Sequence, residues 1–160
     1  VETHMKHFFA ILTTVLLSTL SADAQSLRLR ERMPDVNVMS EYGSKLEYVE
    51  RDMVCLIFVN SYCIPCIEAV QKIDRTLLDK MNIILLTTES KEYHAEIVER
   101  IGAEDLAIAY DIDSKTHKAF GINYIPFAVV YSAKRKIVEW FGPVEQLGND
   151  IIERINVGHK

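Results

Sequence analysis

The feature that most constrains the fold is a pair of cysteines, Cys63 and Cys66, set between an unbroken apolar run and a helical pattern. Residues 54–59 are all apolar, which is typical of a buried strand. From the cysteines onward, apolar residues recur every three or four positions, as they do on one face of a helix. We therefore predict that the strand leads into a helix from Cys63 to about Lys80, in which the recurring apolar residues are Ile64, Ile67, Val70, Ile73 and Leu77.

This placement makes one of the two cysteines reactive. The first N–H groups of a helix have no partner inside it, and the helix dipole adds partial positive charge there. Both effects stabilise a thiolate, and cysteines in such positions have pKa values of roughly 3.5 to 7.5, against about 8.5 for a free thiol. Cys63 can then attack a disulfide near neutral pH, and Cys66, one turn away, can resolve the mixed disulfide. Pro65 suits the first turn, because its fixed φ fits a helix and its missing N–H is not needed there.

Composition narrows the class of protein. The chain has 160 residues, of which 49% are hydrophobic, enough for one domain with a core. Its net charge is −5 and it has no basic block, so we do not expect a nucleic-acid partner. Three cysteines are too few for a disulfide scaffold. A zinc site needs four ligands, usually from two such pairs, so we expect no metal and no other cofactor.

The first residues predict export. A short basic start, Met5-Lys6-His7, precedes the apolar residues 8–20 and an Ala-x-Ala sequence that ends at Ala24, which is the pattern of a secretory signal peptide. We interpret residues 1–4 as a remnant of expression and expect cleavage near Ala24. The mature protein would then be periplasmic or extracellular, where disulfides form. The alternatives are that residues 8–20 form a buried helix or that the leader is retained as an anchor.

Strands and helices alternate along the rest of the chain. Residues 25–32 are predicted to be a flexible lead-in, and residues 33–158 a single α/β domain. Its predicted elements are an edge strand at 33–39, a central strand at 83–88, a helix at 91–101 that stops at Gly102, a strand at 106–110, a short helix to Phe120, a hairpin of strands at 126–131 and 137–141, and a final helix with Leu147, Ile151, Ile152 and Ile155 on its inner face.

These elements resemble the thioredoxin fold. The Cys-Ile-Pro-Cys motif after a buried strand is similar to that family's redox motif, and Ile125-Pro126 before an apolar strand resembles its cis-proline loop. The helix and strand at about 91–110 resemble the insertion of the exported TlpA/ResA-type proteins. The resemblance covers about residues 33–157. It implies a central mixed β-sheet flanked by helices, with a helix–strand insertion.

The chain departs from that family at three positions near the motif. Tyr62 stands where many relatives have tryptophan before the first cysteine. Ile57 stands in the place of thioredoxin's buried aspartate, and Ala69 replaces the glutamate of some ResA-type proteins. That glutamate handles protons in the family, and we do not transfer its role to Glu68, which lies on another part of the helix surface.

The resemblance implies a thiol–disulfide oxidoreductase. Cys63 and Cys66 are its expected catalytic residues and form its redox disulfide. The backbone of Ile125 beside Pro126 is expected to pair with an extended substrate segment, and Tyr62, Ile64 and Pro65 are the other expected substrate-binding residues.

The expected partners are client proteins with cysteines or disulfides and a membrane electron donor, and we expect a monomer that acts as a reductant. The rivals are a non-catalytic binding module on the same scaffold, a peroxide-reducing enzyme, and an inert structural disulfide. Cys55 is expected to be a core residue, and His94 and His117 surface residues of helices.

Overall fold

The computed structural model of the protein describes residues 27–40 and 51–158. The predicted leader at residues 1–24, and residues 25 and 26 of the predicted lead-in, lie outside the described residues. No helix in the described ranges is long and apolar enough to cross a membrane.

A mixed β-sheet of six strands forms the centre of the domain. The strands are β1 (Met39–Ser40), β2 (Met53–Phe58), β3 (Asn82–Thr87), β4 (Ala107–Tyr110), β5 (Phe127–Ser132) and β6 (Ile137–Pro143), in the spatial order β1-β4-β3-β2-β5-β6. β2, β3 and β4 run parallel to one another, and the other pairs are antiparallel. The central strands β2 and β3 are continuous apolar runs because both of their faces are covered.

Helices cover both faces of the sheet. They are α1 (Ile64–Gln71), α2 (His94–Ile101), α3 (Lys115–Ala119) and α4 (Asn149–Val157), with 3-10 helices at Arg75–Asp79, Lys91–Tyr93 and Val144–Gln146. Side chains of β2 alternate between two cores. Cys55 and Ile57 join the core that α1, α2 and α4 share, and Leu56 and Phe58 join the core on the α3 side. Cys55 is fully buried, as expected.

The helix after the cysteines is shorter than predicted. α1 ends at Gln71 instead of continuing to Lys80, and a 3-10 helix follows it. Asp74 causes the new start, because its Oδ1 atom accepts hydrogen bonds from the backbone N–H and the hydroxyl of Thr76. Leu77 is nevertheless buried, since the 3-10 helix continues along the same side of the sheet.

The N-terminal segment also differs from the prediction. Of the predicted edge strand at 33–39, only its end pairs with β4, as β1. The backbone N–H of Asn37 donates instead to Thr116 Oγ1, at 3.0 Å. Residues 27–32, predicted to be part of a flexible lead-in, lie against β6, where Arg30 N–H donates to the carbonyl of Val138 and Val138 N–H to that of Glu31. β6 itself runs through to Pro143, beyond the predicted end at residue 141.

Candidate active site

The register of the sheet brings the cysteine motif and the proline loop to one edge. Phe58, the last residue of β2, is the Cα partner of Phe127, the first residue of β5. The chain therefore leaves β2 toward Cys63 at the same end of the sheet at which Ile125 and Pro126 enter β5. The Ile125–Pro126 peptide bond is cis, and Ile125 is half-buried against both cores.

Cys63 and Cys66 form a disulfide at the start of α1, with their Cα atoms 5.2 Å apart. Cys63 is the N-cap residue, and its Sγ atom accepts a hydrogen bond from Cys66 N–H at 3.2 Å. Pro65 lies in the first turn. Cys66 is fully buried, whereas Cys63 is half-buried. Cys63 is thus the more exposed of the two cysteines, and one helix N–H points at its sulfur, as the stabilisation of a thiolate requires.

The surface beside the disulfide is apolar. Tyr62 and Ile64 expose 71% and 68% of their surface, and Tyr124 exposes 56%. Pro65 is also exposed, and Pro126 is half-buried. Large apolar side chains exposed together in this way are common where proteins bind other proteins. Of the five predicted substrate-binding residues, Tyr62, Ile64 and Pro65 thus lie just before α1 or in its first turn. Ile125 and Pro126 lie directly before β5.

A carboxylate that sequence reasoning missed holds the loop before Cys63. The two carboxylate oxygens of Glu89 accept hydrogen bonds from Ser61 N–H at 2.8 Å and from the Ser61 hydroxyl at 2.5 Å. The Thr87 hydroxyl donates to Glu89 as well, at 2.8 Å. Ser61 and Thr87 are buried. Only the position of Glu89, two residues beyond the end of β3, could have pointed to this role, because strands β2 and β3 are neighbours and end at the same edge.

Two of the departures from the family pattern, at Ile57 and Ala69, have a common structural effect. Ile57 and Ala69 are buried in the same core as Cys66, so the resolving cysteine has apolar neighbours at both positions. Glu68 is exposed and on the outer side of α1. None of these positions therefore supplies a buried carboxylate to the disulfide.

The two histidines on helices do not form a metal site. Among residues 27–40 and 51–158, no group of three or more His, Cys, Asp and Glu side chains is placed to hold a metal ion. His117 was expected on the surface, but its side chain is only 15% exposed, because it packs edge-on against Phe58 and its Nδ1 atom lies 2.8 Å from Asp111 Oδ2. Asp111 also accepts hydrogen bonds from the backbone N–H groups of Thr116 and His117 and so caps α3. His94 is half-buried, with its Nδ1 atom 2.6 Å from the hydroxyl of Tyr110.

Burial keeps the third cysteine out of thiol chemistry. Cys55 is fully buried in β2, and its desolvation raises the pKa of the thiol far above that of a free cysteine. A thiolate is therefore not populated there at neutral pH.

Comparisons with known proteins agree with this architecture. No protein-family profile and no curated protein matches the chain. Among solved structures, the C-terminal domain of a thiol-disulfide oxidoreductase from Bacteroides thetaiotaomicron is similar, with a TM-score of 0.64 and 12% identity over 81% of this chain and 95% of that one. A thiol:disulfide interchange protein DsbE from Chlorobium tepidum is similar with a TM-score of 0.63 and 16% identity, over 82% and 97% of the two chains.

Peroxide-reducing proteins occur among the similar structures as well. A peroxiredoxin-like protein from Aquifex aeolicus has a TM-score of 0.63 and 11% identity, over 82% of this chain and 88% of that one. At such identities the likeness concerns the fold and not the reaction. The chain therefore has the thioredoxin fold.

Proposed function

We propose that this protein exchanges disulfides with client proteins through Cys63 and Cys66. The observation that carries the proposal is the contrast between a half-buried Cys63 at the start of α1 and a fully buried Cys66 bonded to it. In the reduced protein, the Cys63 thiolate attacks one sulfur of a client disulfide and expels the other as a thiolate. Cys66 then attacks Cys63, which releases the second client sulfur and leaves the Cys63–Cys66 disulfide. Two electrons pass from the protein to the client.

The direction of exchange is proposed to be reduction. The Cys-Ile-Pro-Cys motif resembles that of reducing relatives, and a membrane electron donor is proposed to restore the dithiol. The predicted export through the N-terminal leader is in keeping with this assignment, because a reductant has substrates in a compartment where disulfides form. A reduction potential near −270 mV, measured against glutathione, is expected for a reductant; one near −120 mV would identify an oxidant.

Three cysteine variants test the exchange itself. Reduction of insulin by dithiothreitol should be accelerated by the wild-type protein and not by Cys63→Ser. Cys66→Ser should accumulate mixed disulfides with insulin, because nothing resolves them. Cys55→Ala is the matched control, since its thiol is buried away from the site, and it should retain the wild-type rate. Full activity of Cys63→Ser would refute the mechanism.

The acidity of Cys63 tests the helix-start argument separately. In the reduced protein, thiolate absorbance near 240 nm should titrate with a pKa clearly below the free-thiol value of about 8.5. The same titration of Cys63→Ser should lose that transition. A Cys63 pKa at or above about 8.5 would contradict the role of the α1 N-terminus.

The binding-module alternative predicts a different pattern. A protein without redox activity would capture the same partner in its wild-type form and as a Cys63→Ser, Cys66→Ser double variant. Thiol–disulfide exchange requires at least one of the two sulfurs, so the double variant should release the clients that Cys66→Ser holds covalently.

A further inference from the structure

Arg100 of α2 lies beside the redox site. Its guanidinium carbon is 4.1 Å from the centre of the Tyr62 ring, in a cation–π contact. Tyr62 directly precedes Cys63 in the chain. The contact therefore joins the segment that resembles the family's insertion to the residue next to the reactive sulfur.

The position of Arg100 is held by the packing of α2. Ile97 and Ile101, on the inner face of the helix, are buried in the core that also contains Cys66. Arg100 itself is exposed. Because the helix is anchored on one side and the guanidinium rests on Tyr62 on the other, the positive charge has a defined place on the surface.

This charge has no acidic partner within the described residues. No carboxylate in residues 27–40 and 51–158 forms an ion pair with Arg100. The N–H groups of a guanidinium match the two oxygens of a carboxylate, and a cation–π contact does not consume them.

We propose that Arg100 and Tyr62 form a specificity element that favours clients with an acidic side chain close to the cysteine that bonds to Cys63. The proposal rests on the proposed disulfide exchange and names the class of client. The exposed ring of Tyr62 and the exposed side chain of Ile64 offer apolar contacts to the same client segment.

Three synthetic peptides test the proposal. They share an extended sequence with one central cysteine, blocked as a mixed disulfide with 2-thiopyridine, and carry aspartate, serine or lysine at the flanking positions. The protein is first reduced with dithiothreitol and desalted. Its Cys63 thiolate attacks the peptide sulfur and expels pyridine-2-thione, whose absorbance gives the rate. Cys66 then attacks Cys63 and releases the peptide thiol, so that the dithiol is oxidised and the mixed disulfide is reduced.

The measured quantity is the ratio of the aspartate-peptide rate to the lysine-peptide rate at low ionic strength. The wild-type protein should prefer the aspartate peptide by roughly two- to fivefold, the range that an exposed ion pair supports. The preference should fall toward one in 0.5 M salt. Arg100→Glu should invert it, and Arg100→Lys should keep only part of it, because a lysine cannot bind a carboxylate with two parallel hydrogen bonds.

The matched control is Arg154→Glu. Arg154 lies in the last turn of α4, where its side chain is 70% exposed and forms an ion pair with Asp150. The substitution Arg154→Glu changes the net charge by the same amount as Arg100→Glu. It should leave the ratio at the wild-type value. A ratio near one in the wild-type protein, or the same loss in Arg154→Glu as in Arg100→Glu, would overturn the specificity element. Absence of exchange with all three peptides would instead refute the proposed function.

Discussion

Replacing Glu89 with alanine tests how the loop before Cys63 is held. The substitution removes the acceptor of two hydrogen bonds from Ser61, at 2.8 and 2.5 Å, and of one from Thr87. Ser61 is only 3% exposed and Thr87 is fully buried, so these donors have little access to water. Hydrogen bonds to charged groups contribute about 1.5–3 kcal/mol each.

The expected loss of stability follows from these contacts. Two Ser61 bonds at the low end of that range amount to about 3 kcal/mol, and the space left by Glu89 admits water from its exposed side, which reduces the loss. We therefore expect Glu89→Ala to lower the free energy of unfolding by about 2 to 3 kcal/mol, which shifts a urea midpoint by about 1 to 2 M. The measurement is equilibrium urea unfolding of the oxidised protein, followed by circular dichroism.

Glu153→Ala is the control, and a double-mutant cycle with Ser61→Ala tests the contact directly. Glu153→Ala changes an exposed glutamate of α4 and should alter stability by less than about 0.5 kcal/mol. In a Ser61→Ala background, Glu89→Ala should cost at least about 1 kcal/mol less than in the wild type, because the two residues interact directly. A Glu89→Ala effect no larger than that of Glu153→Ala would show that water replaces the carboxylate at no cost, and additive effects in the cycle would show that Ser61 and Glu89 do not stabilise each other.

Two further predictions concern the rest of the domain. Hydrogen bonds from Lys134 N–H and the Ser132 hydroxyl lower the pKa of Asp52 below its ordinary value of 3.8, although desolvation by burial, the largest single influence, opposes them. The stability that these hydrogen bonds add is present above pH 3.8 and is lost as the pH falls through the lower folded-state pKa. The difference in melting temperature between the wild type and Asp52→Asn should therefore shrink as the pH falls below 3.8. A difference that is constant from pH 7 to pH 2.5 would be inconsistent with the lowered pKa. Leu77→Ala should cost about 2–5 kcal/mol in urea unfolding, because Leu77 is fully buried, whereas Leu29→Ala, at a residue 55% exposed, should cost little; equal effects would mean that the 3-10 helix does not pack as described.

Much of the fold was predictable because its strongest signals are local. The runs that form β2 and β3 are continuously apolar, whereas a strand buried on one face alternates apolar and polar residues. Burial on both faces is the simplest explanation of such runs. Gly102 has a φ of 67°, a conformation that favours glycine, and so the end of α2 could be predicted from one residue. The extent of α1 could not, because the apolar period continues past Gln71. The side chain of Asp74 starts a new helix without interrupting that period.

Some contacts of the site could likewise be predicted from local sequence, and others could not. Cys63 and Cys66 lie on one helix start, so their mutual geometry follows from three residues of chain. Glu89 is separated from Ser61 by 28 residues and joins it only because β2 and β3 are neighbours in the sheet. Arg100 meets Tyr62 only because α2 packs on the same core as α1. Such contacts depend on how elements pack, and the hydrophobic pattern of a single element carries no information about them.

By itself, the sequence determined that a buried strand would deliver two cysteines to the start of a helix, because hydrophobic period and the open N–H groups of a helix act over a few residues. The tertiary structure decided which groups surround those cysteines: an apolar core behind Cys66, a carboxylate on the loop before Cys63, and a guanidinium over Tyr62. The physical reason is that each of these neighbours comes from another strand or helix, and only the pairing and packing of the whole chain bring them within contact distance.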